Sequence, residues 1–455
     1  MATKQDKKIV IIGGGPTGIG AAYRLFKLGY KNWVLYEKND YFGGHASTHT
    51  DENGFLWDEG GHVLFSHFKY YDKFVEKVLG DDYYRHQREN WIKMPDRWVP
   101  YPFQNNIRYL LPEDRVRGII GLFEAQKKSR KSRNFKEWIL NTFGKGIAEI
   151  FMFPYNFKVW TTPLEKMSAD WIAERVSVVD LERVLENMIL EKDDTSWGLN
   201  NSFIFPKYGG TREVFERAAT KLIKGNIATG KKMIGLNLKK KKIKFEDGSE
   251  DSYDYLISSI PVNELVKMIK DVPSFLKKAA SKLAYNGIYV IGIGLGKKIE
   301  TSKCWAYFTD SKTPFYRLSF FHNYSPYVIP DGDVSKYSSL MCEVAYSKYK
   351  KVNQSKVVQE TIDALIEEGI IDKQDEKKIV SRALFDIPFA YPIPTLDRDK
   401  QLRTIQPFLM RYGIFSRGRF GAWKYEVANM DHSFMQGVEA VDTILNNKKE
   451  TVWSL

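Results

Sequence analysis

Gly13-x-Gly15-x-x-Gly18 stands between a short apolar run, Lys8 to Ile12, and a stretch of small and apolar residues from Ile19 to Leu28. Glycines at this spacing allow a tight turn and let the main chain approach a pyrophosphate. The helix that follows offers free N–H groups and the positive end of its dipole. Glu37 lies 19 residues past Gly18, at the end of a second short strand (Trp33 to Tyr36), where an acid accepts from ribose hydroxyls. The chemistry these residues suit is dinucleotide binding. Gly43 and Gly44 add a glycine pair six and seven residues past Glu37. Other chemistries lack their residues. Seven histidines form no HExxH, and His45/His49 and His62/His67 have no carboxylate near them in sequence that completes a ligand set, so no metal site is expected. There is no GxSxG elbow, and Cys304 and Cys342 sit in strand-like segments rather than in a nucleophile motif. Without an evident protein nucleophile, the hard chemistry falls to a cofactor.

The elements that must hold these groups follow from periodicity. Strand, glycine turn, helix and strand over the first 37 residues form a βαβ unit. From 113 to 190 the spacing is helical: Val116, Ile119, Ile120 and Phe123 recur at i, i+3, i+4, i+7, as do Leu181, Val184, Leu185 and Met188. Strands with a turn at Asp247-Gly248 are expected over 231–260, further strands over 285–345, a helix near 356–369 and a last helix over 433–446. The chain has 455 residues, 43% hydrophobic and 27% charged, a globular composition rather than a disordered one. A net charge of +13 favours anionic partners, but no recognised nucleic-acid-binding module is present. No apolar run reaches the roughly 18 residues of a membrane span, and no leader is apparent, so a cytoplasmic enzyme is expected.

Glu37 followed by Gly43-Gly44 resembles the FAD-binding flavoproteins of the glutathione reductase and amine oxidase group, with His45 where Arg is common. The terminal segment, GRFGAWKYE and then a helix carrying Gly437, fits the same group. Beyond residue 54 the likeness narrows. GFLWDEGGHVLFSHFKYYD (54–72), WVPYPFQNNI (98–107), FMFPYNFKVW (151–160), FYRLSFFHNYSPY (315–327) and SRGRFGAWKYEVANMDHSFMQGVEAVDTI (416–444) together resemble the UDP-galactopyranose mutase family, in its eukaryotic type.

The resemblance implies an α/β fold with a Rossmann-like FAD-binding domain (1–90, 208–275 and 408–455), an inserted helical domain (108–195) and a twisted antiparallel sheet domain (91–107, 196–207 and 276–407). It implies interconversion of UDP-galactopyranose and UDP-galactofuranose through a covalent adduct between N5 of reduced flavin and the anomeric carbon. NADPH is the reductant suggested by relatives of the eukaryotic type. By motif match, the cofactor contacts are Gly13, Gly15, Gly18, Glu37, Gly43, Gly44, Ser47, Gly60, Gly61, His62, Arg419, Asn429 and Ser433. His62 stands beside N5 as a positioner, with Phe65 nearby. Arg175 and Arg317 receive the departing diphosphate, with Tyr391 and Tyr425 as uncharged donors. Tyr101, Gln104, Phe151, Asn156 and Trp160 belong to the uridine end, and Asn200, Trp305 and Tyr307 surround sugar and diphosphate. Loops between 161 and 210 are expected to close over UDP, carrying Arg175 and Asn200 inward. Asp431 is expected either near the site or as a plain helix cap. An amine-oxidase-like FAD-dependent oxidoreductase is the alternative on the same glycine motifs.

Overall fold

The strand Ile9–Ile12 is buried at every position, as a strand covered on both faces must be. A computed structural model describes residues 7–127, 131–172, 175–195, 198 and 201–455. In it, five parallel strands form a sheet in the order Ile414–Ser416, Tyr255–Ser258, Ile9–Ile12, Trp33–Tyr36, Ile227–Ala228. The helix Pro16–Lys27 crosses from the first strand to the second and packs along the last helix, Met430–Asn446. That crossing is close. A Cβ on Gly20 would stand 2.2 Å from the Phe434 carbonyl oxygen, and one on Gly437 would stand 2.0 Å from that of Thr17.

A smaller antiparallel sheet holds Met233–Asn237, Lys242–Phe245 and Glu250–Ser252, with the expected turn at Asp247-Gly248. The third main layer is a seven-stranded sheet in the order Ile379–Pro392, Tyr285–Leu295, Ser338–Tyr346, Arg317–Phe320, Trp305–Phe308, Asn90–Met94, Arg97–Pro100. Its pairings are antiparallel except where Trp305–Phe308 meets Asn90–Met94. Cys304 and Cys342 are buried against this sheet.

The helices Pro112–Gln126, Phe135–Ile147, Phe153–Trp160 and Leu181–Ile189 occupy the region read as helical. One expectation there is reversed. Val116, Ile120 and Phe123 face outward at 53%, 52% and 45% exposure, while Gly118, Gly121, Leu122 and Ala125 face in. Backbone proximity is the reason: a Cβ on Gly121 would lie 2.9 Å from the Gly146 nitrogen, so the glycine edge must meet the neighbouring helix and the larger side chains turn away. The last helix also begins earlier than its apolar spacing suggests, at Met430 with Asn429 as N-cap. Asp431 is therefore a first-turn residue and not the cap. Among the described residues no helix is long and apolar enough to cross a membrane.

Candidate active site

A cavity of about 820 Å³ opens between the ends of the parallel strands and one face of the seven-stranded sheet. Gly13, Gly15, Pro16 and Thr17 form one wall. No side chain caps the helix they open, and its first turn carries no acid, so its positive end is available to an anion. Glu37 also lines the cavity. Its Oε2 accepts from the Gly14 N–H at 2.5 Å and its Oε1 from the Asn39 N–H at 2.9 Å, which fixes the carboxylate while leaving lone pairs free for hydroxyl donors. Gly44 is in the wall; Gly43 and Ser47 stand just behind, bonded to Gly14 and Gly44 respectively. Gly18 lies inside the helix and does not reach the cavity.

Opposite, the seven-stranded sheet supplies Trp305, Tyr307, Arg317 and Tyr391. Arg317 would be expensive to bury alone. Glu343, 1% exposed on the adjacent strand, accepts from its Nε at 2.7 Å and again from Nη2. Burial opposes the Arg317 charge, and the Glu343 carboxylate outweighs it, so the guanidinium is held firmly cationic. The Glu343 oxygen that takes Arg317 also takes the Gly61 N–H at 2.9 Å, and Arg317 Nη2 donates to the Gly61 carbonyl at 3.1 Å. A Cβ on residue 61 would lie 2.8 Å from the guanidinium, so a larger residue there would displace Arg317. On its other oxygen Glu343 takes the Tyr316 hydroxyl, which lies 3.1 Å from that of Tyr391. Burial, with Glu343 adding to it, pushes the Tyr391 phenol up to about 12, so it stays protonated throughout the physiological range.

The 425–429 turn closes the third side. Arg175 donates to Asn429 Oδ1 at 2.8 Å and lies 5.5 Å over the Tyr425 ring. Arg419 donates to the Ala390 carbonyl at 2.8 Å and sits 4.9 Å over Tyr391. Ser433 and Asp431, from the first turn of the last helix, complete this wall. Gly60, Gly61, His62 and Phe65 line the cavity as a loop. Burial first, then the Arg317 and Arg419 charges, lower the His62 imidazole to about 3, so it is neutral. Its Nδ1 is enclosed without a partner among the described residues, as are Arg175 Nε and Trp305 Nε1. Enclosed polar atoms around one cavity call for a polar ligand. Glycine turn, uncapped helix end, fixed acid and cations together fit a dinucleotide cofactor with room for a second anionic molecule.

Five residues matched to the uridine end do not line this cavity. Gln104 donates to the Ser177 carbonyl at 2.5 Å and Asn156 to that of Met152 at 2.8 Å. Phe151 is stacked between Phe103 and Tyr155 at 4.5 and 5.0 Å. Trp160 is buried beside Tyr391 and Tyr425, and Tyr101 packs 5.5 Å from Tyr307. Tyr101, Phe151 and Trp160 belong to an aromatic flank behind Tyr307, Tyr391 and Tyr425. Asn200 lies outside the described residues.

Sequence reasoning missed Glu343 and Tyr316. The signal was a lone acid in SSLMCEVAY, an otherwise uncharged strand, where a buried carboxylate must have a cationic partner. It also missed that a carboxylate distant in sequence reaches His67: Asp431 takes His67 Nδ1 at 2.6 Å and His432 Nδ1 at 3.1 Å.

Compared with known proteins, residues 16–444 match the family described as flavin containing amine oxidoreductase. A crystal structure of reduced UDP-galactopyranose mutase superposes with a TM-score of 0.93 at 44% identity, over 98% of this chain and 96% of that one. The chain belongs to the UDP-galactopyranose mutase family, within the flavin containing amine oxidoreductases. Its FAD-binding fold and flavin cofactor follow from that membership. A putative protoporphyrinogen oxidase from Exiguobacterium sp. 255-15 shares the fold at 15% identity and a TM-score of 0.73, covering 97% of this chain and 99% of its own. A 4,4'-diaponeurosporene oxygenase of Staphylococcus aureus (strain USA300) is 33% identical over 95 residues, so the mutase-family chain spans 17% of that curated relative's length.

Proposed function

We propose that this protein is a UDP-galactopyranose mutase that interconverts UDP-galactopyranose and UDP-galactofuranose on a reduced FAD. The carrying observation is the linked array on one wall: Arg317 and Tyr316 both donate to Glu343, the Tyr316 hydroxyl lies 3.1 Å from that of Tyr391, the Tyr391 and Tyr425 ring centres are 5.9 Å apart, and Arg175 lies over Tyr425. Such an array suits a group that leaves with two negative charges, because the donors are fixed before the charge arrives. The chemistry a bound, reduced flavin supplies is a nucleophilic nitrogen, N5, for the anomeric carbon.

The chain's own residues do the rest. Arg317 and Arg175 hold the diphosphate, and Tyr391 and Tyr425 donate to its oxygens without a further desolvated charge. Trp305 and Tyr307 wall the sugar and exclude water. The uridine end lies toward Tyr101, Gln104, Phe151, Asn156 and Trp160, and Asn200 belongs to the sugar side by motif match. His62 is neutral, so it serves as a hydrogen-bonding positioner of the flavin rather than as a cation. Gly13, Gly15, Gly18, Glu37, Gly43, Gly44 and Ser47 shape the dinucleotide seat. Gly60, Gly61, Arg419, Asn429 and Ser433 surround the ring. The flavin portion comprises 1–90, 208–275 and 408–455, and NADPH is the reductant we assign.

The test is anaerobic incubation of flavin-loaded protein with UDP-galactofuranose, reduced by dithionite in one arm and NADPH in another, followed by chromatography. Formation of UDP-galactopyranose supports the reading. No conversion by fully reduced protein refutes it, and sustained electron transfer from an amine to an acceptor would favour the oxidase alternative.

A further inference from the structure

Outside the cavity wall, Arg398 is 2% exposed at the start of the helix Arg398–Arg411. Its guanidinium grips Glu426 with two bonds, 2.9 Å to Oε2 and 2.8 Å to Oε1, and gives Nε to Asp399 at 2.7 Å. Neither Arg398 nor Glu426 lines the cavity, whereas Tyr425, Ala428 and Asn429 on the same turn do. Four of the turn's acceptors are engaged from outside it, while the Tyr425 carbonyl takes the Ala428 N–H at 3.2 Å within it. Arg175 Nη2 donates to the Glu426 carbonyl at 2.6 Å and Nη1 to Asn429 Oδ1 at 2.8 Å. Gln436 donates to the Val427 carbonyl at 2.7 Å, and Arg419 to that of Ala428 at 3.3 Å.

The geometry points to Glu426, clamped by Arg398, as a positioning residue that builds the seat on which Arg175 docks and Tyr425 is aimed. This deepens the mutase reading and rests on it. Arg175 has two acceptors on the seat and both belong to this one turn. The 3₁₀ turn Tyr425–Val427 is a single turn held by two internal bonds, Val427 N–H to Lys424 and Ala428 N–H to Tyr425, both 3.2 Å, so the forked ion pair beneath it sets where the Glu426 carbonyl points. A fork–fork contact fixes a plane as well as a distance, which a single bond does not. Removing the Glu426 charge leaves the buried Arg398 guanidinium with Asp399 as its remaining carboxylate partner, so the turn must rearrange.

The expected result is a selective loss of nucleotide capture. In flavin-loaded protein, Glu426→Gln weakens UDP binding, read by isothermal titration with UDP alone, by about tenfold, as expected for one displaced charged contact. It raises KM for UDP-galactofuranose more than it lowers kcat. Glu426→Asp, which retains the charge, recovers part of the affinity. Arg398→Lys, which retains charge but not the fork, shows the same loss in milder form and carries the test if Glu426→Gln does not load flavin. A double-mutant cycle decides whether the effect runs through Arg175. In an Arg175→Ala background, Glu426→Gln should cost little more affinity. Independent, additive losses overturn the proposal, as does a fall in melting temperature with UDP affinity unchanged. Failure of the wild-type protein to bind UDP at all would instead sink the mutase reading and this inference with it.

Discussion

Glu343 and Arg317 sit directly across from each other on neighbouring antiparallel strands, and a single carboxylate oxygen holds both the guanidinium and the Gly61 N–H. The pair therefore aims a cation and pins one end of the His62 loop with the same atom. Arg317→Ala should lower kcat/KM by about 100-fold or more, the usual cost of losing a fixed donor to a developing charge. Glu343→Gln should lower it less, about tenfold, because the cation remains but loses the charge that fixes it. Steady-state kinetics of the two variants check this, and near-normal turnover in Arg317→Ala would remove that residue from the site.

Tyr391 and Tyr425 are predicted to act as neutral donors to the same leaving group. Each Phe variant loses one uncharged hydrogen bond, about 0.5–1.5 kcal/mol, or up to about tenfold in UDP affinity. Titration with UDP checks the size of the effect. A much larger loss in either variant would mean that the hydroxyl supports the wall rather than the ligand.

The crossing of Pro16–Lys27 with Met430–Asn446 leaves no room for a methyl group at either contact glycine. Gly20→Ala and Gly437→Ala should each destabilise the fold by about 1–3 kcal/mol, the range for overpacking. Both should also lower flavin content, because the same two helices present their N-termini to the cavity. Melting curves and the flavin-to-protein absorbance ratio of purified variants test this; full flavin loading in both would contradict it.

His62 makes a pH prediction with a definite sign. Its imidazole is lowered to about 3 in the folded protein and titrates near 6.5 when unfolded. Between those values the unfolded chain binds the extra proton, so stability falls as pH drops from about 6.5 toward 3 and is unaffected above that window. His62→Asn should flatten that acid limb of a melting-temperature profile. An unchanged limb would show that His62 is not buried as a neutral base.

The parts of the site that sequence alone made legible are local ones. Gly13, Gly15, Glu37 and Gly44 line the cavity where their spacing along one βαβ unit puts them, and short-range geometry is written in spacing. Arg317 stood out because an arginine inside FYRLSFF needs a reason to be there. Glu343 went unread because its meaning depends on a cross-strand register between segments 26 residues apart, which periodicity does not report. The outward stripe of Val116, Ile120 and Phe123 misled for a related reason. Hydrophobic spacing names a face but does not say that a glycine edge beside it packs closer. Gln104 and Asn156, matched by motif, spend their amide donors on main-chain carbonyls, a detail set entirely by tertiary neighbours.

The parallel sheet places Ile9–Ile12 between Trp33–Tyr36 and Tyr255–Ser258, with Ile414–Ser416 at its edge and the first helix packed along Met430–Asn446. The sheet is therefore assembled from pairings distant in sequence, Ile9 with Tyr255 and Leu256 with Ile414, which form only after the intervening chain has been made. Non-local pairing of this kind is slow and leaves apolar strands exposed meanwhile, and a truncation that spared every cavity-lining side chain but cut into the helix Met430–Asn446 would still leave the nucleotide cradle unformed.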